Sequence, residues 1–243
     1  MIATRVQRLR GWLQAADLAL PAVLVTIGVL VVGFLKLGHS VAESKTDAFD
    51  RSILLALRAA PDDPLGPRWF EAAVMHLSAL GSGAVTGLVA VIAVTFALLA
   101  RQPRFAALIA VCALGTSALM NVLKGLYNRP RPSVVTHLDP PGGLSFPSGH
   151  SMISMALYMT LAMLIARALP DRRLRRYTIG VGGLLAFLIG VSRMYLGVHY
   201  PSDVVAGWTV GGAWALLCGT IAYRLGRSGE LETPEPPPPT PEA

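Results

Sequence analysis

Three short polar segments interrupt an otherwise apolar chain, and their residue types are those of phosphoryl chemistry. Lys124 to Pro132 reads KGLYNRPRP, Pro147 to His150 reads PSGH, and Ser192 to Asp203 reads SRMYLGVHYPSD. Lys124, Arg131 and Arg193 supply positive charge, and guanidinium forks suit bidentate binding of phosphate oxygens. Ser148 stands where it can cap a helix opening at Gly149, so the unpaired N–H groups of that first turn would face the same anion. A neutral His199 imidazole can attack phosphorus and split one hard step into two. Asp203, four residues on and across Pro201, is placed to accept a hydrogen bond from the other ring nitrogen and fix the tautomer. His150 then remains to protonate the leaving oxygen and later to activate water. Of the two Arg-Pro pairs in RPRP, the residues alone do not say whether Arg129 or Arg131 faces the phosphate.

A metal centre would need several carboxylates. These segments hold only Asp203, with Asp139 in the loop between them, so neither a metal nor another cofactor is expected. His39, His76 and His137 lack comparable neighbours and read as structural or solvated. The competing reading of the set is an arginine-rich membrane interface that binds lipid head groups without chemistry.

The elements that must position these residues follow from composition. Of 243 residues, 53% are hydrophobic and 14% charged, against about 25% charged in a soluble domain. A soluble globular enzyme is thereby disfavoured. The net charge of +7 comes in short basic clusters without an aromatic-interleaved stripe, so no nucleic-acid partner is expected. Six apolar stretches read as membrane spans: Leu18 to Leu35, Ala72 to Ala100, Phe105 to Leu123, Ser148 to Ala166, Tyr177 to Ser192 and Val204 to Tyr223. The fold class expected is therefore all-α, an integral membrane bundle of six transmembrane helices. The second stretch is long, and His76, Gly81 and Gly83 suggest a bend, with the span proper starting near Ser82. The fifth is short and reaches full length only by running through Arg193 toward Leu196, which leaves that arginine in need of a counter-charge or a ligand.

Basic residues in short loops favour the cytoplasmic side. Twelve of the 21 Lys and Arg fall on one side, in the clusters around Arg5, Arg101, Arg167 to Arg176 and Arg224. Both termini are thus expected inside and all three polar segments outside. The expected division is a basic cytoplasmic N-terminus (1–17), a membrane domain (18–227) and a Pro-rich cytoplasmic tail (228–243). A cleaved signal peptide competes at the N-terminus, because Ser40-Val41-Ala42 offers a cleavage site, but the apolar run is long for one and Lys36 and His39 interrupt it. Between Gly38 and Arg68, the residues Phe49, Ile53, Leu54 and Leu57 fall at helical spacing and suggest an external amphipathic helix on the membrane surface, with a solvated loop as the alternative. Gly83-x-x-x-Gly87 and Gly207-x-x-x-Gly211 are read as close helix packing within the bundle, with a dimer interface as the alternative. Cys112 and Cys218 lie in apolar runs and read as small buried hydrophobes.

The three segments resemble the signature of the type 2 phosphatidic acid phosphatase superfamily: a Lys six residues before Arg-Pro, then Pro-Ser-Gly-His, then Ser-Arg with five residues to His and three more to Asp. The resemblance covers roughly Leu80 to Tyr223, in the form of six-span bacterial members, and selects Arg131 over Arg129. It implies that Lys124, Arg131, Ser148, Gly149 and Arg193 hold phosphate, that His199 becomes a phosphohistidine supported by Asp203, and that His150 is the general acid. The function implied is a metal-independent phosphatase acting on a lipid phosphate or diphosphate at the outer leaflet of a bacterial inner membrane. Undecaprenyl diphosphate is the first substrate suggested, with phosphatidic acid and phosphatidylglycerophosphate behind it. A lipid phosphotransferase and a non-catalytic lipid-phosphate binding or transport protein are the alternatives. The soluble vanadium haloperoxidase branch does not fit six apolar spans, and nothing in the residues speaks to oligomeric state.

Overall fold

The structure is a computed structural model that describes residues 2–139 and 142–230, with side chains over 20–139 and 142–224. The expected Pro-rich tail falls outside the described residues from 231 onward. Among the described residues, eight helices and one small hairpin follow in order. Helix α1 (Ile2–Ala42) does not stop at Leu35: one lysine and one histidine do not break a helix, and Lys36 and His39 ride on it to its end. A short helix, α2 (Asp47–Ala56), and a two-stranded antiparallel hairpin, β1 (Arg58–Ala60) with β2 (Asp63–Pro64), fill the connection that follows. The apolar stripe expected for α2 is divided: Leu54 is buried, Phe49 points outward, and the buried face also carries Asp50. The hairpin was not legible in the sequence.

The long second stretch is two helices, α3 (Arg68–Ala79) and α4 (Gly83–Leu99), bent by 46°. Ser82 caps α4 by accepting the Val85 N–H at 3.3 Å, which puts the start of the span where the glycines suggest it. Gly81 sits in the break because a Cβ there would collide with Ile189 and lie 3.2 Å from the His150 ring. Helix α5 (Pro103–Tyr127) opens on a proline and closes at Asn128 in the left-handed region, φ 44°, as helix ends favour. It runs one turn past Leu123, so Lys124 stands on its last turn. Then come α6 (Gly149–Ala168), α7 (Arg172–Tyr195) and α8 (Pro201–Glu230). Helix α7 does run on through Arg193, and α8 starts at Pro201, whose missing N–H costs nothing in a first turn.

Helix α6 is central and packs against α4, α5, α7 and α8, while α1 lies outside on α8 and α3 on α7. Among the described residues, single helices from α1, α5, α6, α7 and α8 are long and apolar enough to cross a membrane, and the bent α3–α4 pair meets the same criteria only when its two helices are taken together. The most apolar 18 residues of the Leu20–Ala42 part of α1 have a mean hydropathy of 2.3, and only 6% of them are buried. Val25, Val29, Val91, Phe96, Leu114 and Leu126 likewise face outward, a surface that calls for hydrocarbon as its solvent.

The two glycine pairs part company. A Cβ on Gly207 would stand 2.7 Å from the Ser148 carbonyl, and one on Gly211 would strike the Met152 carbonyl, so α8 lies directly on the backbone of α6. Gly83 and Gly87 meet nothing within 4 Å. The packing read for them from spacing is therefore corrected: their missing side chains leave the wall of a cavity of about 410 Å³ between α4, α5 and α6.

Candidate active site

One end of the bundle gathers the C-terminal ends of α1, α5 and α7 and the N-terminal ends of α6 and α8, and the three polar segments meet there. A cavity of about 310 Å³ is lined by Lys124, Arg131, Gly149, His150, Arg193 and His199, together with Gly81, Gly83, Met120, Asp139, Gly142 and Ile153. The resemblance named two further residues, which lie behind this wall. Ser148 is fully buried and caps α6, accepting from Ser151, while its own N–H donates to the Asp203 carbonyl at 2.9 Å. Asp203 is fully buried behind His199.

The histidine geometry assigns its tautomer. Arg131 Nη1 lies 3.1 Å from His199 Nε2. A guanidinium nitrogen only donates, so Nε2 accepts and Nδ1 carries the proton. That Nδ1 faces Asp203 Oδ2 at 3.4 Å, and Ser145 Oγ stands at the same distance. Oδ2 also accepts from the Ser145 hydroxyl and from the Tyr200 N–H at 2.9 Å. Complete burial pushes the His199 pKa down to about 4, partly countered by Asp203 and reinforced by Arg131 and Arg193. The ring is therefore neutral near pH 7 with its lone pair toward the cavity.

The cations around it are held by backbone and neighbours. Lys124 Nζ donates to the Leu144 carbonyl at 2.6 Å. Arg131 is clamped by the carbonyls of Val198 (2.8 Å), Gly143 (3.0 Å) and Gly142 (2.8 Å). Burial lowers the Arg131 pKa from its ordinary value, and the nearby charge of Arg193 lowers it further. An anion in the cavity would relieve both effects. Arg193 finds the counter-charge its position required, Asp139 at 2.9 Å, and a second partner in Ser78 of α3 at 2.6 Å. Its Nε is buried without a partner. Among the described residues, no group of three His, Cys, Asp or Glu side chains is arranged to hold a metal ion.

Arg129 is not in the cavity. Its guanidinium reaches Asp203 Oδ1 (2.7 Å), Ser202 Oγ (2.7 Å) and Asp50 Oδ2 (2.8 Å), under the ring of Tyr200 at 4.2 Å. Asp50, Ser78, Ser145 and Ser202 belong to this site and were missed in the sequence. For Asp50 a signal existed: it stands four residues before Leu54, an acid on the buried face of an amphipathic helix.

Fold and site together define a membrane-embedded helical protein with a pocket lined by cations and built around a buried histidine. Residues 105–227 match the PAP2 superfamily, and the chain belongs to that family. It is 38% identical over 99 residues to phosphatidylglycerophosphatase B of Bacillus subtilis, covering 40% of this chain and 48% of that protein. It is 37% identical over 95 residues to lipid A 4'-phosphatase of Bacteroides thetaiotaomicron, 39% of each chain. With undecaprenyl-diphosphatase of Sulfolobus acidocaldarius it shares 36% over 75 residues, 30% of this chain and 32% of the other. The matched stretches thus span less than half the length of these relatives. The crystal structure of a transmembrane PAP2 type phosphatidylglycerolphosphate phosphatase from Bacillus subtilis superposes with a TM-score of 0.76 at 25% identity, over 82% of this chain and 97% of that one. The chain is an integral membrane protein.

Proposed function

We propose that this protein is a lipid phosphatase that hydrolyses a phosphomonoester or diphosphate head group through a phosphohistidine on His199, with the site on the outer face and both termini in the cytoplasm. The observation that carries the proposal is the His199 ring, neutral, proton on the Asp203 side, lone pair on the side of Lys124, Arg131 and Arg193. An arriving phosphate takes over the Arg131 N–H that now occupies Nε2, which frees the lone pair. Nε2 then attacks phosphorus as the bond to the leaving oxygen breaks, and His150 gives that oxygen its proton. Asp203 stabilises the imidazolium character that develops. In the second half, His150 takes a proton from water, the water oxygen attacks phosphorus, and the N–P bond breaks to release inorganic phosphate. Lys124, Arg131, Arg193 and the N–H groups behind Ser148 and Gly149 neutralise the charge that spreads over the phosphoryl oxygens. The scheme needs no metal.

The substrate class is supported by the cavity between α4, α5 and α6, which shares Gly83 and Ile153 with the phosphate cavity and is lined mostly by aliphatic side chains, with Thr86, Thr95 and Ser117 among them. A single substrate can thus place its phosphate among the cations and its tail against α4 in the bilayer. Undecaprenyl diphosphate is the first substrate, followed by phosphatidic acid and phosphatidylglycerophosphate. The test is phosphate release by the detergent-purified protein in excess EDTA, from undecaprenyl diphosphate and phosphatidic acid side by side. Release by the wild type, with loss of about 10⁴-fold or more in His199→Ala, is expected for a nucleophile. Phosphate loss that needs Mg²⁺ or a second lipid acceptor, or equal rates in both proteins, would overturn the reading.

A further inference from the structure

Asp50 is fully buried on α2, 149 residues in sequence from His199 and outside every motif, yet it closes a chain of charges that ends on the reacting ring. Its Oδ1 accepts the Ser202 N–H at 2.9 Å, and its Oδ2 accepts from Ser202 Oγ at 2.5 Å and from Arg129 Nη2 at 2.8 Å. Arg129 Nη1 in turn holds Asp203 Oδ1 at 2.7 Å. One guanidinium is therefore stretched between two fully buried carboxylates, and each of its outer nitrogens has an assigned side. Asp47 Oδ1 (3.3 Å) and Thr46 Oγ1 (3.5 Å) add weaker contacts on the α2 side.

The consequence lies in the orientation of Asp203. If Arg129 were free to rotate, a bidentate fork onto Asp203 would be its best geometry. That fork would draw Oδ2 away from the His199 Nδ1, which it meets at only 3.4 Å. Asp50 prevents this by claiming Nη2, so Arg129 grips Asp203 by Oδ1 alone and leaves Oδ2 for the histidine, the Ser145 hydroxyl and the Tyr200 N–H. We infer that Asp50 and Arg129 are positioning residues for the reaction: they fix the Asp203 carboxylate and, through it, the Nδ1–H tautomer of His199. The inference rests on His199 being the nucleophile of the proposed function. It makes α2 a part of the reacting assembly, although no α2 side chain lines the cavity.

The test is made on the full chain in detergent, with two readouts. Histidine-selective nitrogen NMR at neutral pH, in saturating inorganic phosphate so that Arg131 donates to the anion and no longer to Nε2, reports which ring nitrogen is protonated and does not depend on turnover. Wild type is expected to show His199 protonated at Nδ1. Asp50→Asn, which keeps shape and removes charge, is expected to show a mixture of tautomers, assigned by loss of the signal in His199→Ala. In phosphate release from phosphatidic acid, Asp50→Asn should lower kcat by about ten- to a hundred-fold with KM unchanged, because the phosphate-binding cations stay in place. A wild-type tautomer in Asp50→Asn, or a rise in KM that matches the loss in kcat, would overturn the proposal by making Asp50 a residue of the fold alone. If Asp50→Asn does not accumulate, Arg129→Lys decides, since an ammonium cannot span both carboxylates: mixed tautomers support the proposal, and a pure Nδ1–H form overturns it. Absence of turnover in the wild type would instead refute the phosphatase reading and leave the NMR result to stand by itself.

Discussion

Arg129-Pro130 and Arg131-Pro132 are the same dipeptide two residues apart, and the fold gives them opposite work. Arg131 is held by carbonyl oxygens that carry no net charge, so its own charge stays available to the cavity. Arg129 lies between Asp50 and Asp203 with its charge spent on them. Asn128, in the left-handed region, ends α5 just ahead of both. What separates them is the partner set each meets: neutral acceptors leave a cation free to bind an anion, and buried carboxylates turn it into an anchor. The glycine pairs teach the same lesson. Gly207 and Gly211 are filled by the backbone of α6, whereas Gly83 and Gly87 face open space beside the cavity that holds His150 and His199. A small residue permits close approach without specifying what approaches.

The arginine comparison is the one to break first. Arg131→Ala is expected to lower turnover by about a hundred- to a thousand-fold, the usual cost of one oxyanion donor, while the unfolding temperature in detergent stays near that of the wild type. Arg129→Ala should cost about 3–5 kcal/mol of stability because two buried carboxylates lose their common cation, with a smaller loss of turnover that acts only through Asp203. Thermal unfolding beside a rate assay separates them, and matching profiles would erase the distinction drawn here. The glycine comparison predicts a smaller pair of effects. Gly207→Val should prevent α8 from docking on α6 and reduce folded yield, whereas Gly87→Val should fold normally and weaken turnover of a long-chain lipid phosphate more than of a short-chain one. Equal losses for both chain lengths would detach that cavity from substrate binding.

The smallest effect concerns acid. Folded His199 resists protonation down to about 4, against 6.5 for a free imidazole. Below pH 6.5 the unfolded chain therefore takes up a proton that the folded chain refuses. Its contribution is fully present above pH 6.5 and is lost as pH falls toward 4, at about 1.4 kcal/mol for each pH unit. His199→Gln should flatten this slope in denaturation series between pH 6.5 and pH 4.5. An unchanged slope would mean that the ring is not held neutral by burial.

The parts of this protein legible in its sequence are those set by neighbours along the chain. The apolar stretches announced the spans because a helix in hydrocarbon satisfies its own backbone and needs only length and apolar side chains. Ser148 before Gly149 and Pro201 before Asp203 announced helix starts, since capping is decided within one turn. The spacing of the three polar segments named Lys124, Arg131, His150, Arg193 and His199, all of which line one cavity. Helix ends were less legible: one lysine does not stop α1, and α5 runs on to an Asn128 cap instead of ending with its apolar run. Only the tertiary structure decided that Arg129 turns to Asp203 and Asp50, that Asp50 reaches across from α2, and that one glycine pair is a packing seam while the other is the wall of a cavity. Each of these depends on what another helix presents at a distance of a few ångströms, and that is fixed by how the helices pack together, a sum over the whole bundle that no single segment encodes.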